Sequence, residues 1–523
     1  MRYRYSLWKK LLLIGSCAFA LGIMPYFWRV IFIEPHGMSA AQYLYGISSR
    51  ALAVVSGYMP HIATAYVILI AALVFLEERN PDRTILWLMT LIFLPVVGVA
   101  LYMFMGPDMK RAKMRRLFRP TGSYPPLERI EGERTSQSVR KTSTLAYRSS
   151  SSLLCEHNEV ELLYDGVETF EAIKRELARA GRYINMEYYI FEDDDLGREI
   201  ADILCRRASS GVVVRLTTDG VGSWKLGRGL IRHMQESGVI VRTFMPVSFP
   251  FFHSRLNFRN HRKIIVIDGE VAFTGGLNIG VGYMGKGPLG HWRDTHVMFR
   301  GEAVCALNEI FLSDWRISSG EELSPKDPSF SPCDIGSFGK LPHKPVQIVP
   351  SGGAAWRSIR QMYFMMIAEA QRRIWITTPY LIPGDAILEA LKTAALAGVD
   401  VRLLIPGKSD HFLSHWASFS NIEDLLRSGA RIWLYKKGFV HAKTLVSDDE
   451  IASVGTANLD NRSLDINFEV QAFIYDKGVC DELAGHFVVD MADSNECALS
   501  EWENRSMRYK VLESVGRLWS SQV

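Results

Sequence analysis

The sequence predicts an α/β fold in which two tandem copies of one unit, related by pseudo-twofold symmetry, follow an N-terminal transmembrane helical region. Three observations predict it. Strongly apolar stretches are concentrated in the first 105 residues. Beyond them, β-rich runs alternate with helical patterns, which indicates βαβ units and a largely parallel sheet covered by helices. The order of these runs occurs twice, which indicates an internal repeat.

Residues 1–108 are predicted to be a membrane anchor. Three predominantly apolar stretches, at about 11–33, 56–76 and 85–105, are each long enough to cross the hydrocarbon core as a helix. The alternative for the first stretch is a cleaved signal peptide, because Ala18–Ala20 resembles a cleavage site. The apolar stretch continues beyond that site, which favours its retention as an anchor.

Residues 109–152 are predicted to be a basic collar and a linker. Six basic residues lie between Lys110 and Arg119, and such a cluster favours the cytoplasmic side and the anionic membrane surface there. The Ser/Thr-rich stretch Thr135–Ser152 has no apolar periodicity and predicts a tether or an irregular surface segment. We therefore expect a multi-pass protein of the cell membrane, with the domains that follow the collar at the cytoplasmic face. Three spans and a cytoplasmic N-terminus would put those domains outside, so the number of spans and the orientation stay open.

Composition excludes some other classes. The net charge of +4 gives no whole-chain argument for nucleic-acid binding. The seven cysteines are scattered and form no CxxC pair, which argues against a disulfide framework and a structural zinc site.

The two copies show the same order of elements. In the first predicted domain, residues 153–335, we expect strands at Arg182–Ile190, Gly211–Thr217 and Val239–Phe244, with helices at Leu196–Ala208 and Leu226–Glu236. In the second, residues 336–523, we expect strands at Arg373–Tyr380, Gly398–Ile405 and Ala430–Tyr435, with helices at Ala386–Ala397 and Asn421–Arg427.

Each copy ends in the same set of polar residues at identical spacings. The two sets are His261, Lys263, Asp268 and Asn278, and His441, Lys443, Asp448 and Asn458. A histidine and a lysine two positions apart on a strand point to the same side and can face one phosphate. Together, two such sets supply a nucleophile, a proton donor and fixed positive charge, which phosphodiester chemistry needs. Alternating His and Lys is poor metal-ligand chemistry, so no metal is expected.

The duplicated H-x-K-x4-D-x6-G-x-x-N pattern resembles the phospholipase D superfamily from about residue 155 to the end of the chain. Three segments further resemble cardiolipin synthases in their amino-acid sequence: His291–Asp294, Asn458–Ser463 and Asn467–Glu469. The resemblance implies two phospholipase D-like α/β domains that share one site. One departure is Gly276, where many members of the superfamily carry serine.

The resemblance also implies roles for the residues. One histidine forms a phosphohistidine and the other protonates the leaving alcohol; we expect His261 to attack and His441 to serve as acid and then base, although the repeat symmetry leaves the order open. Lys263, Lys443, Asn278 and Asn458 are expected to bind the non-bridging phosphate oxygens. Asp294 and Glu469 are expected to orient the histidines by a hydrogen bond, the alternative being surface carboxylates. Asp268 and Asp448 are placed in the catalytic sets, with a structural role as the alternative.

The function implied is cardiolipin synthesis: transfer of a phosphatidyl group from one phosphatidylglycerol to another, with release of glycerol and no cofactor. The expected partners are this lipid and an anionic membrane surface, without nucleic acid, and a homo-oligomer stays open. The alternatives are a hydrolytic phospholipase D, a phosphatidylserine synthase-type transferase, a membrane-tethered nuclease and an inactive scaffold.

Overall fold

The computed structural model describes residues 136–246, 258–321, 335–352 and 357–520, and the single positions 85, 87, 89, 90, 323 and 327. The chain divides into two compact units, Met1–Pro107 and Asp108–Val523, and the described strands all belong to the second. The predicted basic collar and the predicted spans lie outside the described residues, apart from four positions of the third span. Among the residues that are described, no helix has the length and apolar character needed to span a membrane.

The described strands are β1 (Cys155–Tyr164), β2 (Tyr183–Tyr188), β3 (Val213–Asp219), β4 (Ile240–Phe244), β5 (Ile264–Ile267), β6 (Val271–Gly275), β7 (His291–Arg293), β8 (Thr295–Gly301), β9 (His343–Ser351), β10 (Arg373–Thr377), β11 (Asp400–Pro406), β12 (Arg431–Tyr435), β13 (Gly438–Val440), β14 (Thr444–Ser447), β15 (Ile451–Gly455), β16 (Glu469–Ile474) and β17 (Ser494–Glu496).

The described α-helices are α1 (Gln137–Ser150), α2 (Asp165–Arg179), α3 (Asp195–Ser209), α4 (Arg228–Glu236), α5 (Glu302–Ser319), α6 (Ser358–Glu369), α7 (Asp385–Leu396), α8 (Phe412–Phe419), α9 (Ile422–Arg427), α10 (Asn461–Asp465), α11 (Lys477–Ala492), α12 (Leu499–Glu503) and α13 (Met507–Trp519). Each strand and helix that the sequence predicts in the two copies is present, with its ends shifted by a few residues.

One continuous 15-stranded sheet joins the two copies, in the order β17-β12-β11-β10-β14-β15-β16-β9-β1-β8-β6-β5-β2-β3-β4. Read outward from the centre, the first copy runs β1-β8-β6-β5-β2-β3-β4, and the second runs β9-β16-β15-β14-β10-β11-β12 in corresponding order. The first strands of the two copies, β1 and β9, pair antiparallel. The predicted tandem repeat with pseudo-twofold symmetry is therefore confirmed, and its axis passes between these two strands.

The prediction of a largely parallel sheet is wrong, because the sheet is mixed. Within it, parallel pairing is confined to β2-β3-β4 and β10-β11-β12, where a helix connects successive strands. The motif strands β5 and β14 instead form antiparallel hairpins with β6 and β15. The turn between β5 and β6 is only Asp268–Glu270, far too short for the crossover that a parallel pair requires.

The prediction of an irregular linker also needs correction, since residues 137–150 form helix α1. Its N-cap is Ser136, whose side chain accepts a hydrogen bond from the Val139 amide at 3.2 Å. Val139 and Ala146 are buried in the core of the second copy. The buried face also includes Thr142 and Ser143, so the apolar periodicity of a helix is absent from the sequence. Packing against the second copy, rather than helix propensity, stabilises this helix.

Cys155, Cys205, Cys480 and Cys497 are buried and free. Cys305 is disulfide-bonded. One disulfide-bonded residue is not a framework, so the absence of a disulfide framework stays a prediction.

Candidate active site

The backbone around each motif histidine is held by the other copy. The amide of His261 donates to the carbonyl of Phe468 at 2.9 Å, and the amide of His441 donates to the carbonyl of Arg293 at 2.7 Å. Just before His441, strand β13 pairs in parallel with β7 of the first copy. Both histidines therefore lie at the boundary between the copies, on backbone that the partner copy positions.

The side-chain hydrogen bonds of the histidines also run from one copy to the other. His261 Nδ1 donates to Glu469 Oε2 at 3.0 Å, and His441 Nδ1 donates to Asp294 Oδ2 at 2.8 Å. Each carboxylate directly follows the residue whose carbonyl holds the histidine amide. Because a carboxylate accepts at Nδ1, the proton of the neutral imidazole is on that nitrogen, and Nε2 keeps its lone pair. The sequence predicts a histidine partner for each carboxylate, but its spacing does not show that the partner belongs to the other copy.

Both motif lysines are buried beside these histidines. Lys263 Nζ donates to the His261 carbonyl at 2.8 Å, and Lys443 Nζ donates to the His441 carbonyl. Burial, with a smaller contribution from the charge of Lys443, lowers the pKa of Lys263 to about 7, and the charge of Glu469 opposes this change. Burial also lowers the pKa of Lys443 to about 8. A bound anion would stabilise both ammonium groups and raise these pKa values again.

The histidines respond to charges from both copies. Burial lowers the pKa of His261, and the charge of Glu469 opposes this. The pKa of His441 lies well below its usual value because of burial, with further contributions from Lys443, Lys263 and His261. Since groups of the first copy act on a histidine of the second, the two motifs form one electrostatic site in which neutral imidazoles are favoured before an anion binds.

The two carboxylates are supported differently. Thr456 Oγ1 donates to Glu469 Oε2 at 2.5 Å. Burial alone would raise the pKa of Glu469, but the charge of His261 and the hydrogen bonds from that histidine and Thr456 hold it below its usual value. In the first copy the matching position is Gly276, where an added Cβ would lie 2.1 Å from Asp294 Oδ1. The glycine that departs from the superfamily pattern thus leaves the space that the Asp294 carboxylate occupies.

The motif asparagines are both buried but are held in different ways. Asn278 Oδ1 accepts from the Ile190 amide at 3.2 Å, and its Nδ2 donates to Tyr283 Oη at 3.2 Å. Asn458 donates to Asp460, and its Oδ1 has no hydrogen-bond partner among the described residues. Their predicted role in phosphate binding stays a prediction.

Aromatic rings form walls beside the histidines, and sequence analysis did not assign them to the site. The ring of Tyr189 lies 4.8 Å from that of His261, and the ring of Trp292 lies 5.1 Å from that of His441. Lys263 Nζ is 5.6 Å from the Tyr189 ring centroid. In the sequence, only their positions pointed to the site. Tyr189 lies in a strand of the repeat, and Trp292 lies in a segment that resembles cardiolipin synthases. The rings restrict the orientation of each imidazole and limit the access of water.

A further histidine, the fully buried His296, lies next to the site and was also missed. It is two residues beyond Asp294 in the chain and pairs with Gly275 of β6, the glycine that ends the motif hairpin. Its ring nitrogens have no hydrogen-bond partner within the described part of the chain. Burial lowers its pKa to about 3, with a smaller contribution from Lys263. The corresponding residue of the second copy is Gln471, whose Nε2 donates to the Lys443 carbonyl at 3.2 Å.

The carboxylates of Asp268 and Asp448 bind backbone amides, which favours the structural alternative over their placement in the catalytic sets. The Asp268 carboxylate accepts from the backbone amides of residues 181–183 at 2.7–2.8 Å. The Asp448 carboxylate accepts from the amides of residues 371–373 at 2.8–3.0 Å. Each aspartate lies beyond a four-residue buried strand from its lysine and has a left-handed backbone conformation, with φ of 56° and 53°. Their role is to hold the start of the neighbouring strand.

No group of three or more His, Cys, Asp or Glu side chains that could hold a metal ion occurs among the described residues. The expectation of metal-free chemistry stays a prediction.

The shared sheet and the crossed histidine–carboxylate pairs define a phospholipase D-like protein with one site built by two halves. A crystal structure of phosphatidylserine synthase from Haemophilus influenzae has a similar fold, with a TM-score of 0.58 over 73% of this chain and 100% of that one, at 14% sequence identity. The family model described as cardiolipin synthase, PLD-like domain, matches residues 173–315 and again 363–491. A second model, phospholipase D-nuclease N-terminal, matches residues 64–107.

Curated relatives extend the match to most of the chain. The chain is 41% identical over 471 residues to a cardiolipin synthase of Halalkalibacterium halodurans, covering 87% of this chain and 92% of that protein. It is 42% identical over 469 residues to cardiolipin synthase 2 of Bacillus anthracis, covering 87% and 90%. The chain therefore belongs to the cardiolipin synthase family of the phospholipase D superfamily.

The contact at Gly276 predicts the effect of one added methyl group. Gly276→Ala should push the Asp294 carboxylate away from His441 and lower kcat for a phosphodiester substrate by about 100-fold, as expected when a catalytic group is misplaced by about 1 Å. Gly282→Ala is the matched control, because an added Cβ there meets nothing within 4 Å. Equal kcat values for the two folded variants would contradict this account of the glycine.

The lowered lysine pKa values predict an alkaline limit to activity. Because the pKa of Lys263 is about 7 in the free enzyme, its ammonium is lost as the pH rises through that value. A plot of kcat/KM against pH should therefore fall on the alkaline side, since kcat/KM reports the free enzyme. Lys263→Arg keeps its charge and should move this fall to higher pH, whatever its absolute rate. A fall that stays at the same pH in the variant would assign it to another group.

Proposed function

We propose that this chain is a cardiolipin synthase that transfers a phosphatidyl group from one phosphatidylglycerol to a second, releasing glycerol through a phosphohistidine intermediate. The observation that carries the proposal is the crossed pairing of His261 with Glu469 and of His441 with Asp294. This arrangement supplies two imidazoles with a fixed tautomer to one site that also holds both motif lysines. Relatives that carry the name cardiolipin synthase match this chain over most of their own length.

In the proposed first half-reaction, Nε2 of one histidine attacks the phosphorus of the donor lipid. A P–N bond forms, and the P–O bond to the glycerol headgroup breaks. The second histidine, protonated at both ring nitrogens once the bound anionic substrate has raised its pKa, gives its Nε2 proton to the departing oxygen. Glycerol leaves as a neutral alcohol, and the phosphatidyl group stays on the first histidine.

In the second half-reaction the same two groups exchange roles. The second histidine, now neutral, takes the proton from a glycerol hydroxyl of the acceptor phosphatidylglycerol. The acceptor oxygen attacks the phosphorus, the P–N bond breaks and cardiolipin leaves. Both histidines return to their starting states. One phosphodiester replaces another, so we propose no cofactor.

Fixed cationic and amide groups would stabilise the negative charge on the phosphate oxygens during transfer. We propose that Lys263 and Lys443 bind the non-bridging oxygens, with the side-chain amides of Asn278 and Asn458 as further donors. The lowered lysine pKa values fit this role, because desolvated ammonium groups gain most from an anionic partner. That His261 attacks first stays a prediction, since the two paired histidines are nearly equivalent.

We also propose that the N-terminal residues anchor the enzyme in the cell membrane, with several spans and the catalytic unit at the cytoplasmic face. The apolar stretches at 56–76 and 85–105 and the basic cluster after them support this placement. The match of residues 64–107 to an N-terminal domain model of the superfamily is consistent with it. The number of spans and the position of the N-terminus remain open.

Product analysis tests the proposed reaction. The purified full chain, given phosphatidylglycerol as its only phospholipid, should form cardiolipin and glycerol in equal amounts. Glu469→Gln should lower this rate by about 100-fold or more, because an amide no longer stabilises the imidazolium or fixes its tautomer. Glu482→Gln is a control at an exposed carboxylate outside the paired set.

Other products would overturn the proposal in distinct ways. Phosphatidic acid without cardiolipin would identify a hydrolase. Phosphatidylserine, formed when serine and a nucleotide-activated lipid are supplied, would identify the serine transferase. Cleavage of DNA without lipid turnover would identify a nuclease.

A further inference from the structure

The C-terminal helix α13 presents a row of apolar side chains to solvent. Met507, Val511, Val515 and Leu518 are 74%, 55%, 40% and 82% exposed. Their spacing of four, four and three residues places them on one narrow stripe of the helix. Scattered exposed apolar residues are ordinary on protein surfaces, but a continuous stripe indicates a contact surface.

The opposite side of α13 packs closely on α8. A Cβ added at Gly516 would lie 2.4 Å from the backbone nitrogen of Ala417, and the rings of Tyr509 and Trp416 are 5.6 Å apart. Since this face is fixed against the protein, the apolar stripe points outward.

The helix lies beside the candidate active site. At its C-terminal end, Asn461 Nδ2 donates to the Ser520 carbonyl at 3.1 Å, and Asn461 is three residues beyond the motif asparagine. The underlying helix α8 begins two residues after Asp410, whose charge acts on His441. Phe412, the first residue of α8, is 64% exposed. Exposed apolar side chains from both helices therefore flank the loops that form the second half of the site.

Charges around the stripe are positive. Arg508 and Arg517 are exposed on either side of it. The one acidic residue of the helix, Glu513, is buried on the inner side and paired with Arg505 at 2.9 Å. The outward surface thus combines apolar side chains with basic flanks, the pattern of a helix that lies in the headgroup region of an anionic bilayer.

We propose that a bilayer-docking face seats the loops of the second half of the active site against an anionic lipid surface. Its residues are Phe412, Met507, Val511, Val515 and Leu518. The choice of a bilayer rests on the proposed function, since the substrate of that reaction is an anionic membrane lipid. A second copy of the chain is a poorer occupant. A twofold contact through this face would bring the arginines of both copies together, whereas anionic headgroups would neutralise them.

The test uses the full chain reconstituted in phosphatidylcholine vesicles and two forms of one substrate. Long-chain phosphatidylglycerol is placed in the bilayer, and a short-chain phosphatidylglycerol is supplied as monomers in water. Leu518→Glu should lower turnover of the bilayer substrate by about tenfold or more, because it removes an apolar anchor and adds a charge that the anionic surface repels. Turnover of the soluble substrate should stay within about twofold, because the site itself is unchanged.

Leu396→Glu is the matched control. Leu396 is 73% exposed and ends α7, which returns the chain from the carboxyl end of β10 to the amino end of β11. It therefore lies at the edge of the sheet opposite the site, and its variant should turn over both substrates like the parent chain.

Three results would contradict the docking face. Equal losses for both variants on the bilayer substrate would show a general charge effect. Unchanged bilayer turnover in Leu518→Glu would show that the stripe has no role. Equal losses on both substrates, together with a changed oligomeric state by light scattering, would identify a contact between copies. Absence of cardiolipin from the parent chain with either substrate would instead overturn the proposed function, so the two failures are distinguishable.

Discussion

Each motif histidine depends on a carboxylate that the other copy supplies, and this reciprocal pairing constrains the rest of the structure. Glu469 and Asp294 are both 0% exposed. A buried carboxylate without a charged or hydrogen-bonding partner is costly, and so is an imidazole removed from water without one. Separating the copies would break both pairs and leave each histidine without the carboxylate that fixes its tautomer. The active site can therefore exist only in the assembled pair of halves.

The continuous sheet holds the two copies rigidly enough for each histidine to pair with a carboxylate of the other copy. Strands β1 and β9 join the copies at the centre, and Arg262, between the histidine and lysine of the first motif, reaches into the second copy. Its Nε donates to the Glu469 carbonyl at 3.0 Å, and its Nη2 donates to the Ser351 carbonyl at 2.7 Å. The same guanidinium is paired with Asp314 of the first copy. A buried cation with partners on both sides fixes the distance between the halves, and hence between the two histidines.

The sequence predicted which residues form the site better than it predicted which of them are hydrogen-bonded to each other. Identical offsets from the two histidines identified the lysines and asparagines, and alternating apolar runs identified the strands and helices around them. The spacing could not show that each histidine pairs with a carboxylate of the other copy, because this depends on how the two copies are joined in three dimensions. The space that Gly276 leaves for Asp294 is likewise a three-dimensional fact.

The errors have separate physical causes. Helix α1 was predicted to be irregular because its buried face is partly Ser and Thr, and packing supplies the stability that apolar periodicity would normally signal. Parallel pairing was overestimated because the motif strand of each copy continues into a hairpin. Asp268 and Asp448 recur at the same offset from the two histidines, yet each binds backbone amides at the far end of its strand. An internal repeat thus identifies residues that recur in both copies, but it does not show whether their role is structural or chemical.

The central claim is that the two copies form one active site. Measuring turnover by two variants, each lacking one motif histidine, tests this claim most directly. His261→Ala and His441→Ala, each shown to be folded, are assayed with phosphatidylglycerol and quenched under alkaline conditions, which preserve phosphohistidine. The account predicts that each variant loses at least about 100-fold in kcat, and that the parent enzyme carries the phosphatidyl group on only one of the two histidines. Retention of about half of the activity by each variant, with adducts on both histidines of the parent, would show two independent sites and contradict the account.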